Sequence, residues 1–354
     1  MPKLAAIQVL RVLAAMAVAV LHAQHDAAPL SARFGGTFRP LETIPWAAGV
    51  DVFFVISGFV MVHASAKLFA EPGASTAFLS RRIARVVPIY WAATTLYLLI
   101  ALMAPMLLNS ELLSAWPIVA SYLFIPFDRP DGLAQPVYSL GWTLNYEMAF
   151  YALFAGFVVL PRRVAVLGLI AMLSLLTVLG SAIHLPQPFR FWTDPIILEF
   201  ALGLALGLAR AEGIRVSLPL RGVLAALAVV VLAQDLTGNG MLPRWIGWGI
   251  PAALLVAAVS LGHERRPQHA MWRFGVLLGD ASYALYLVHP FVIRATREMV
   301  AQLGLFGMIG GWLYVVIVLV ITTGVSVMIY RGFERPATAW LRQRLEGASR
   351  LQAA

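Results

Sequence analysis

Ten long apolar runs follow one another along the chain, and the gaps between them are too short to hold a folded domain. An apolar run of ~20 residues crosses the ~30 Å hydrocarbon layer of a bilayer as a helix. The runs extend from Ala5 to His22, Ala47 to Ala64, Val87 to Leu107, Ser139 to Leu160, Val164 to Ile183, Trp192 to Arg210, Leu220 to Leu236, Leu242 to Gly262, Phe274 to Ile293 and Met308 to Tyr330. The stretch from Ala115 to Ile125 is too short to cross and reads as an interfacial or re-entrant piece. The runs are continuous rather than alternating, and backbone groups in lipid must be paired internally, so helices are expected rather than a barrel. The expectation is an all-α polytopic membrane protein with about ten transmembrane helices, one membrane domain over residues 1–336 and a cytoplasmic tail over 337–354.

Composition agrees. Of 354 residues 60% are hydrophobic and 12% charged, about half the charge that a soluble domain carries, so apolar surface must face lipid. The chain has no cysteine, which removes disulfides, thiolate metal sites and cysteine nucleophiles. A net charge of +9 raises nucleic-acid binding as a first idea, but the placement of the charges argues against it. With the N-terminus inside, 18 basic residues fall on the cytoplasmic side, including Lys3, Lys67, Arg265, Arg266 and those of the tail. Seven fall outside, Arg244, Arg294 and Arg297 among them, and Arg11 lies within the first run. This asymmetry places both termini in the cytoplasm, and the inner membrane of a bacterial cell is the expected location. Lys3 and Arg11 precede an apolar run as in a signal peptide, but Leu21-His22-Ala23 is a poor cleavage site, and the first span is expected to stay.

Ionisable residues at membrane depth cost several kcal/mol and usually face a cavity or a partner. Arg11 and His22 are eleven positions apart, which returns a helix to nearly the same face roughly 16 Å further along its axis. Gln8 and Asp26 extend that stripe. Asp51 stands near the outer end of the second run and calls for an Arg or His on a neighbouring span, while Gly58 on the same face permits close helix approach. Arg82 and Arg85 point one way at i, i+3 spacing, a geometry that suits a phosphorylated ligand arriving from the cytoplasm, although topology alone accounts for basic residues there. Thr143, Glu147 and Tyr151 recur every four residues, so Glu147 needs Arg11, a histidine or a water-filled cavity. The sixth run adds Glu199. In the ninth, Ser282, Tyr286 and His289 share a face, and Pro290 leaves the Tyr286 carbonyl without its usual helix donor.

These blocks together resemble the acyltransferase 3 family of membrane acyltransferases. The match runs through nearly the whole chain: Arg11-x10-His22, the Gly-Val-Asp-x-Phe-Phe block at Asp51, Arg82-x-x-Arg85, Trp142-x-Leu-x-x-Glu147 and Ser282-Tyr283-x-x-Tyr286-x-x-His289. The opening Ile7-Gln8-Val9-Leu10-Arg11 resembles its exopolysaccharide O-acetyltransferase branch. The resemblance implies transfer of an acyl group, most often acetyl from acetyl-CoA, to a sugar hydroxyl of an exported or surface glycan or a lipid-linked saccharide. On it, His22 acts as general base or acyl relay, Arg11 stabilises the thioester oxyanion or holds a carboxylate, and Glu147 and Asp51 orient the histidine. Arg82 and Arg85 meet the donor phosphates; Trp142, Ser282, Tyr283, Tyr286 and His289 complete the substrate-binding set. No bound cofactor, metal or nucleic acid is implied. The rival expectations are a transporter or flippase of a polar solute, since intramembrane Arg, His and Glu also mark transport paths, and a structural partner in a glycan-synthesis complex.

Overall fold

The structure, a computed structural model, describes residues 4–103, 114–263 and 269–352, with side chains described as far as 346. Lys3, the last residues of the third apolar run, Arg265, Arg266 and the side chain of Arg350 lie outside the described residues. Among the described residues there is no strand, only an isolated bridge between Asp128 and Ala134.

The helices are, in chain order, α1 (Ala5–Arg33), α2 (Gly49–Ala64), α3 (Ala74–Met103), α4 (Ala115–Tyr122) and α5 (Trp142–Phe157). Next come α6 (Arg162–Ala182), α7 (Phe189–Trp192), α8 (Leu198–Ala211), α9 (Leu218–Ala233) and α10 (Ile250–Ser260). The last four are α11 (Ala270–Asp280), α12 (Ser282–Gln302), α13 (Phe306–Ile329) and α14 (Arg335–Gln352).

Among the described residues every apolar run falls on a helix or a pair of helices, but five helical segments there are long and apolar enough to cross a membrane, six if the bent pair α11 and α12 counts as one span. The difference arises where a run continues through a break. The run from Trp192 is interrupted at Asp194-Pro195, where Asp194 Oδ1 accepts from the Ile196 N–H at 2.9 Å, leaving α8 only 14 residues. The run from Leu242 opens with a π-helical turn, Trp245–Gly249, before α10. In the ninth run the chain bends by 68° at Ala281. The short stretch from Ala115 forms the eight-residue α4, as its length requires.

The chain divides into two compact units. The first joins Met1–Ile56 to Glu212–Gly332. Its strut is α1, whose alanines allow close approach: Ala23, Ala27 and Leu30 pack on Ile293, Val300, Tyr314 and Val318, while Ala15 and Ala19 meet Leu285. Gly49 lies so close to the Ala14 carbonyl, and Gly279 to that of Gln8, that a Cβ at either would collide with backbone. Small residues replace hydrophobic collapse as the means of association where the solvent is itself apolar. The second unit joins Ser57–Ala211 to Phe333–Ala354. In it Phe78 of α3 packs against Tyr151 and Phe154 of α5, Gly58 of α2 abuts the backbone of Phe200 and Leu204 in α8, and α14 is tied to α3 by Arg81 and Glu346.

Candidate functional site

Two polar clusters are embedded in the helices, one in each unit. In the first unit α1 carries Arg11 and His22 on one uninterrupted helix, as their spacing predicts. Arg11 donates to Gln8 Oε1 at 3.3 Å. His22 is half-buried, and its Nδ1 lies 3.0 Å from the Val18 carbonyl and 3.0 Å from His289 Nε2. The two imidazoles are tilted by 41° with centroids 4.9 Å apart. His289 is 0% exposed, and its other nitrogen, Nδ1, lies 3.1 Å from the Leu285 carbonyl. Tyr286, one turn earlier on α12, sets its ring against His289 and Phe53. Tyr283 is half-buried on the same helix. Ser282 is fully buried at the bend and donates to the Gly279 carbonyl at 2.8 Å, so its hydroxyl closes the turn between α11 and α12.

Asp51 also lies in this unit, fully buried, and both its oxygens are engaged by Arg244: Oδ1 accepts from Nε and Oδ2 from Nη2, each at 2.9 Å. The guanidinium stacks 4.9 Å from the ring of Trp248, whose Nε1 donates to Asp235 Oδ1 at 2.8 Å. The basic partner that Asp51 requires is therefore present, in a residue that charge counting assigns to an outer loop. Asp26, one turn beyond His22, accepts from Arg297 at 3.2 Å and from the Tyr314 hydroxyl at 2.8 Å. Arg297 and Tyr314 carry no distinguishing signal in the sequence, and Arg244 carries only its position at the head of an apolar run.

In the second unit Glu147 accepts from Ser57 at 3.0 Å and from Tyr151. The carboxylate thus meets hydroxyls, one of them the i+4 residue of its own polar face. Thr143, the third member of that face, donates to the Leu140 carbonyl at 3.2 Å. The Arg82 guanidinium lies 5.5 Å from the centroid of Phe78 and 5.9 Å from that of Tyr151, and its Nε has no hydrogen-bond partner among the described residues. Arg85 makes no hydrogen bond or ion pair among the described residues, whereas Arg81 pairs with Glu346. Two guanidinium groups lie one turn apart, Arg85 with no hydrogen-bonded acceptor among the described residues and Arg82 facing the Tyr151 hydroxyl and the Glu147 carboxylate, and both can still donate to an anionic ligand. Trp142 opens α5 with its ring edge against Tyr146. Asn145, 1% exposed, has neither side-chain amide atom hydrogen-bonded among the described residues, a feature no spacing rule singles out. Glu199 is fully buried on α8.

Residues 4–331 match the family model described as an acyltransferase domain. The chain is 35% identical over 293 residues to the exopolysaccharide production protein ExoZ of Rhizobium meliloti (strain 1021), covering 82% of this chain and 89% of that one. It is 27% identical over 329 residues to the acyltransferase MdmB of Streptomyces mycarofaciens, covering 83% of this chain and 80% of that one. No solved structure matches.

Proposed function

Since the chain belongs to the acyltransferase 3 family and is a membrane acyltransferase, we propose that it moves an acetyl group from acetyl-CoA to a sugar hydroxyl of an exported polysaccharide or its lipid-linked precursor. The similarity to a protein named for exopolysaccharide production supports that acceptor class. The observation that carries the chemistry is the imidazole of His22, on a helix long and apolar enough to cross a membrane and held on one edge by hydrogen bonds. A positioned imidazole exchanges a proton near neutral pH. In the reaction the sugar oxygen attacks the thioester carbonyl carbon, and His22 takes the hydroxyl proton. The C–S bond then breaks, and the proton passes to the departing sulfur, leaving an O-acetyl ester and free CoA.

Arg82 and Arg85 are the groups assigned to the donor phosphates, because they present fork-shaped donors on one face of α3. Arg11, three turns from His22 on the same helix, acts at a different depth and on the thioester rather than the attacking hydroxyl. Asp51 contributes through Arg244, and Glu147 through Tyr151 beside Arg82. Trp142, Tyr283 and Tyr286 provide aromatic surface, and Ser282 fixes the bend that carries α12. The reading includes ten crossings, with both termini in the cytoplasm of a bacterial cell and the protein in its inner membrane.

The test is the O-acetyl content of the host exopolysaccharide, with His22→Ala and Arg11→Ala compared with the parent at matched membrane abundance. Loss of acetyl in both supports the assignment. Full acetylation in either variant removes that residue from the mechanism, and purified protein that releases no CoA from acetyl-CoA in the presence of de-O-acetylated host exopolysaccharide overturns the activity.

A further inference from the structure

We infer that His289 is the positioning residue of His22, and that it leaves Nε2 of His22 as the atom that takes the acceptor proton. The inference rests on the acetyl-transfer reading for its consequence, but its structural content stands on the hydrogen bonds alone.

A carbonyl oxygen can only accept, so each ring nitrogen that meets one must carry a hydrogen. His289 Nδ1 meets the Leu285 carbonyl at 3.1 Å and is therefore an N–H; in the neutral ring Nε2 then holds the lone pair. His22 Nδ1 meets the Val18 carbonyl at 3.0 Å and is likewise an N–H. The 3.0 Å contact between the rings then has one direction, with His22 Nδ1–H donating to His289 Nε2 while also reaching Val18. The opposite direction would set the bare Nδ1 of His22 against the Val18 oxygen, lone pair to lone pair. Both rings are thus fixed in the same tautomer by three contacts, and the free lone pair of the pair is on Nε2 of His22. No group among the described residues hydrogen-bonds that nitrogen.

His289 here does what a carboxylate does where one is available. It accepts from the far side of the base, fixes the ring plane and keeps the reactive nitrogen bare. Asp51, which the sequence offers for that role, gives both oxygens to Arg244. When Nε2 takes the sugar proton, the imidazolium of His22 keeps two acceptors on its Nδ1–H, the Val18 oxygen and the His289 lone pair. Complete burial of His289 holds the second acceptor in place without competition from water. Its distance from solvent also sets it apart from residues that touch substrate.

The experiment compares His289→Phe, which keeps a ring and loses the acceptor, with His289→Gln, whose amide oxygen restores one, using acetyl-CoA and de-O-acetylated host exopolysaccharide. His289→Phe is expected to lower kcat by roughly 10²-fold with the donor KM within about twofold, and His289→Gln to stay within about tenfold of the parent. In the His22→Ala background His289→Phe should cost nothing further, because the group it positions is gone. A parent-like rate for His289→Phe, a loss confined to KM, glutamine no better than phenylalanine, or losses that multiply would each overturn the inference. The 15N spectrum of histidine-labelled full-length protein in bilayers, with His22 assigned by its absence in His22→Ala, decides the tautomer without any turnover. A protonated Nδ1 and bare Nε2 on His22 support the inference, and the reverse refutes it. A parent that binds acetyl-CoA but transfers nothing would sink the acetyl-transfer reading and leave that spectrum to decide this one.

Discussion

Asp51 gives both carboxylate oxygens to Arg244, so removing either partner strands the other charge inside an apolar bundle. Asp51→Asn or Arg244→Leu should each lower stability by about 3 kcal/mol, near the low end for a broken buried pair because Arg244 keeps some exposure. The double variant should lose less than the sum of the two. Thermal unfolding of detergent-solubilised protein reads this, and strictly additive losses would show that the two do not act as a pair. At the other cluster, Arg82→Gln with Arg85→Gln should raise the KM for acetyl-CoA about tenfold or more, since a charge-assisted contact is worth about 1.5–3 kcal/mol. The same variant should match the parent when the donor is S-acetyl-N-acetylcysteamine, which has the thioester and no phosphate; equal impairment with both donors would remove the phosphate assignment. These residues differ in how far the sequence announces them. Tyr151 lies four positions from Glu147, and helical spacing alone puts it on the same face. Arg244 is 193 positions from Asp51, and no periodicity reaches that far. Position relative to an apolar run assigned it to a loop, whereas burial and geometry give it a partner. Ser57 is illegible for a different reason: a buried glutamate calls for Arg11, a histidine or a water-filled cavity, and here two hydroxyl donors satisfy one of its oxygens instead.

Helix boundaries were legible where a run ends in charge or a turn, and less so where the break is polar in one atom only. The 68° bend at Ala281 sits inside a run that reads as continuous, and what closes it is one hydroxyl, Ser282 on the Gly279 carbonyl. Asp194-Pro195 breaks the sixth run in the same way, with a side chain capping a single turn. The packing role of Gly58 was legible, and the structure supplies its reason: a Cβ there would meet the Phe200 carbonyl and the Leu204 nitrogen, both backbone atoms that cannot step aside. Gly207 on the facing helix is closed in similarly by Val62 and the Phe59 carbonyl. Gly156 on α5 has open space around its Cβ direction. Gly58→Ala should therefore cost about 1–3 kcal/mol through forced separation of α2 and α8, whereas Gly156→Ala should be neutral or stabilising by up to about 1 kcal/mol. Melting temperatures of the two variants in the same detergent test this, and equal values would mean that the close contact carries no weight.

For the molecule as a whole, whether the chain crosses ten times depends on its short spans, and the hairpin of α9 with α10 is the pair whose re-entry would remove two crossings at once. The Val216 N–H donates to the Leu261 carbonyl at 2.9 Å, and Arg221 donates to the Ala258 carbonyl, so the start of α9 and the end of α10 lie side by side at the base of a hairpin. Each arm has 16 helical residues, α9 alone and α10 with its π turn. At 1.5 Å per residue an arm spans about 24 Å, some 6 Å short of a typical hydrocarbon core. A short helix still crosses if the bilayer thins around it, at a cost of fractions of a kcal/mol per Å. The hairpin tip supplies the reason to cross. Arg244 stands there and is fastened to Asp51, which opens the second apolar run at the end assigned to the outer side. A tip that merely dipped into the membrane would carry that ion pair into hydrocarbon, together with Asp235 and its bond to Trp248. The absence of native cysteine makes the test clean: one cysteine at a time, Ile214→Cys at the base and Met241→Cys at the tip, both highly exposed positions. A membrane-impermeant maleimide applied to intact spheroplasts should label Met241→Cys and spare Ile214→Cys, with both labelled after permeabilisation. If Met241→Cys stays protected from either side, the hairpin is re-entrant and the count of crossings falls by two. The termini would remain on one side, but the pairing of Asp51 with Arg244 would then have to be sought at the membrane midplane, where an exposed guanidinium has no water to reach.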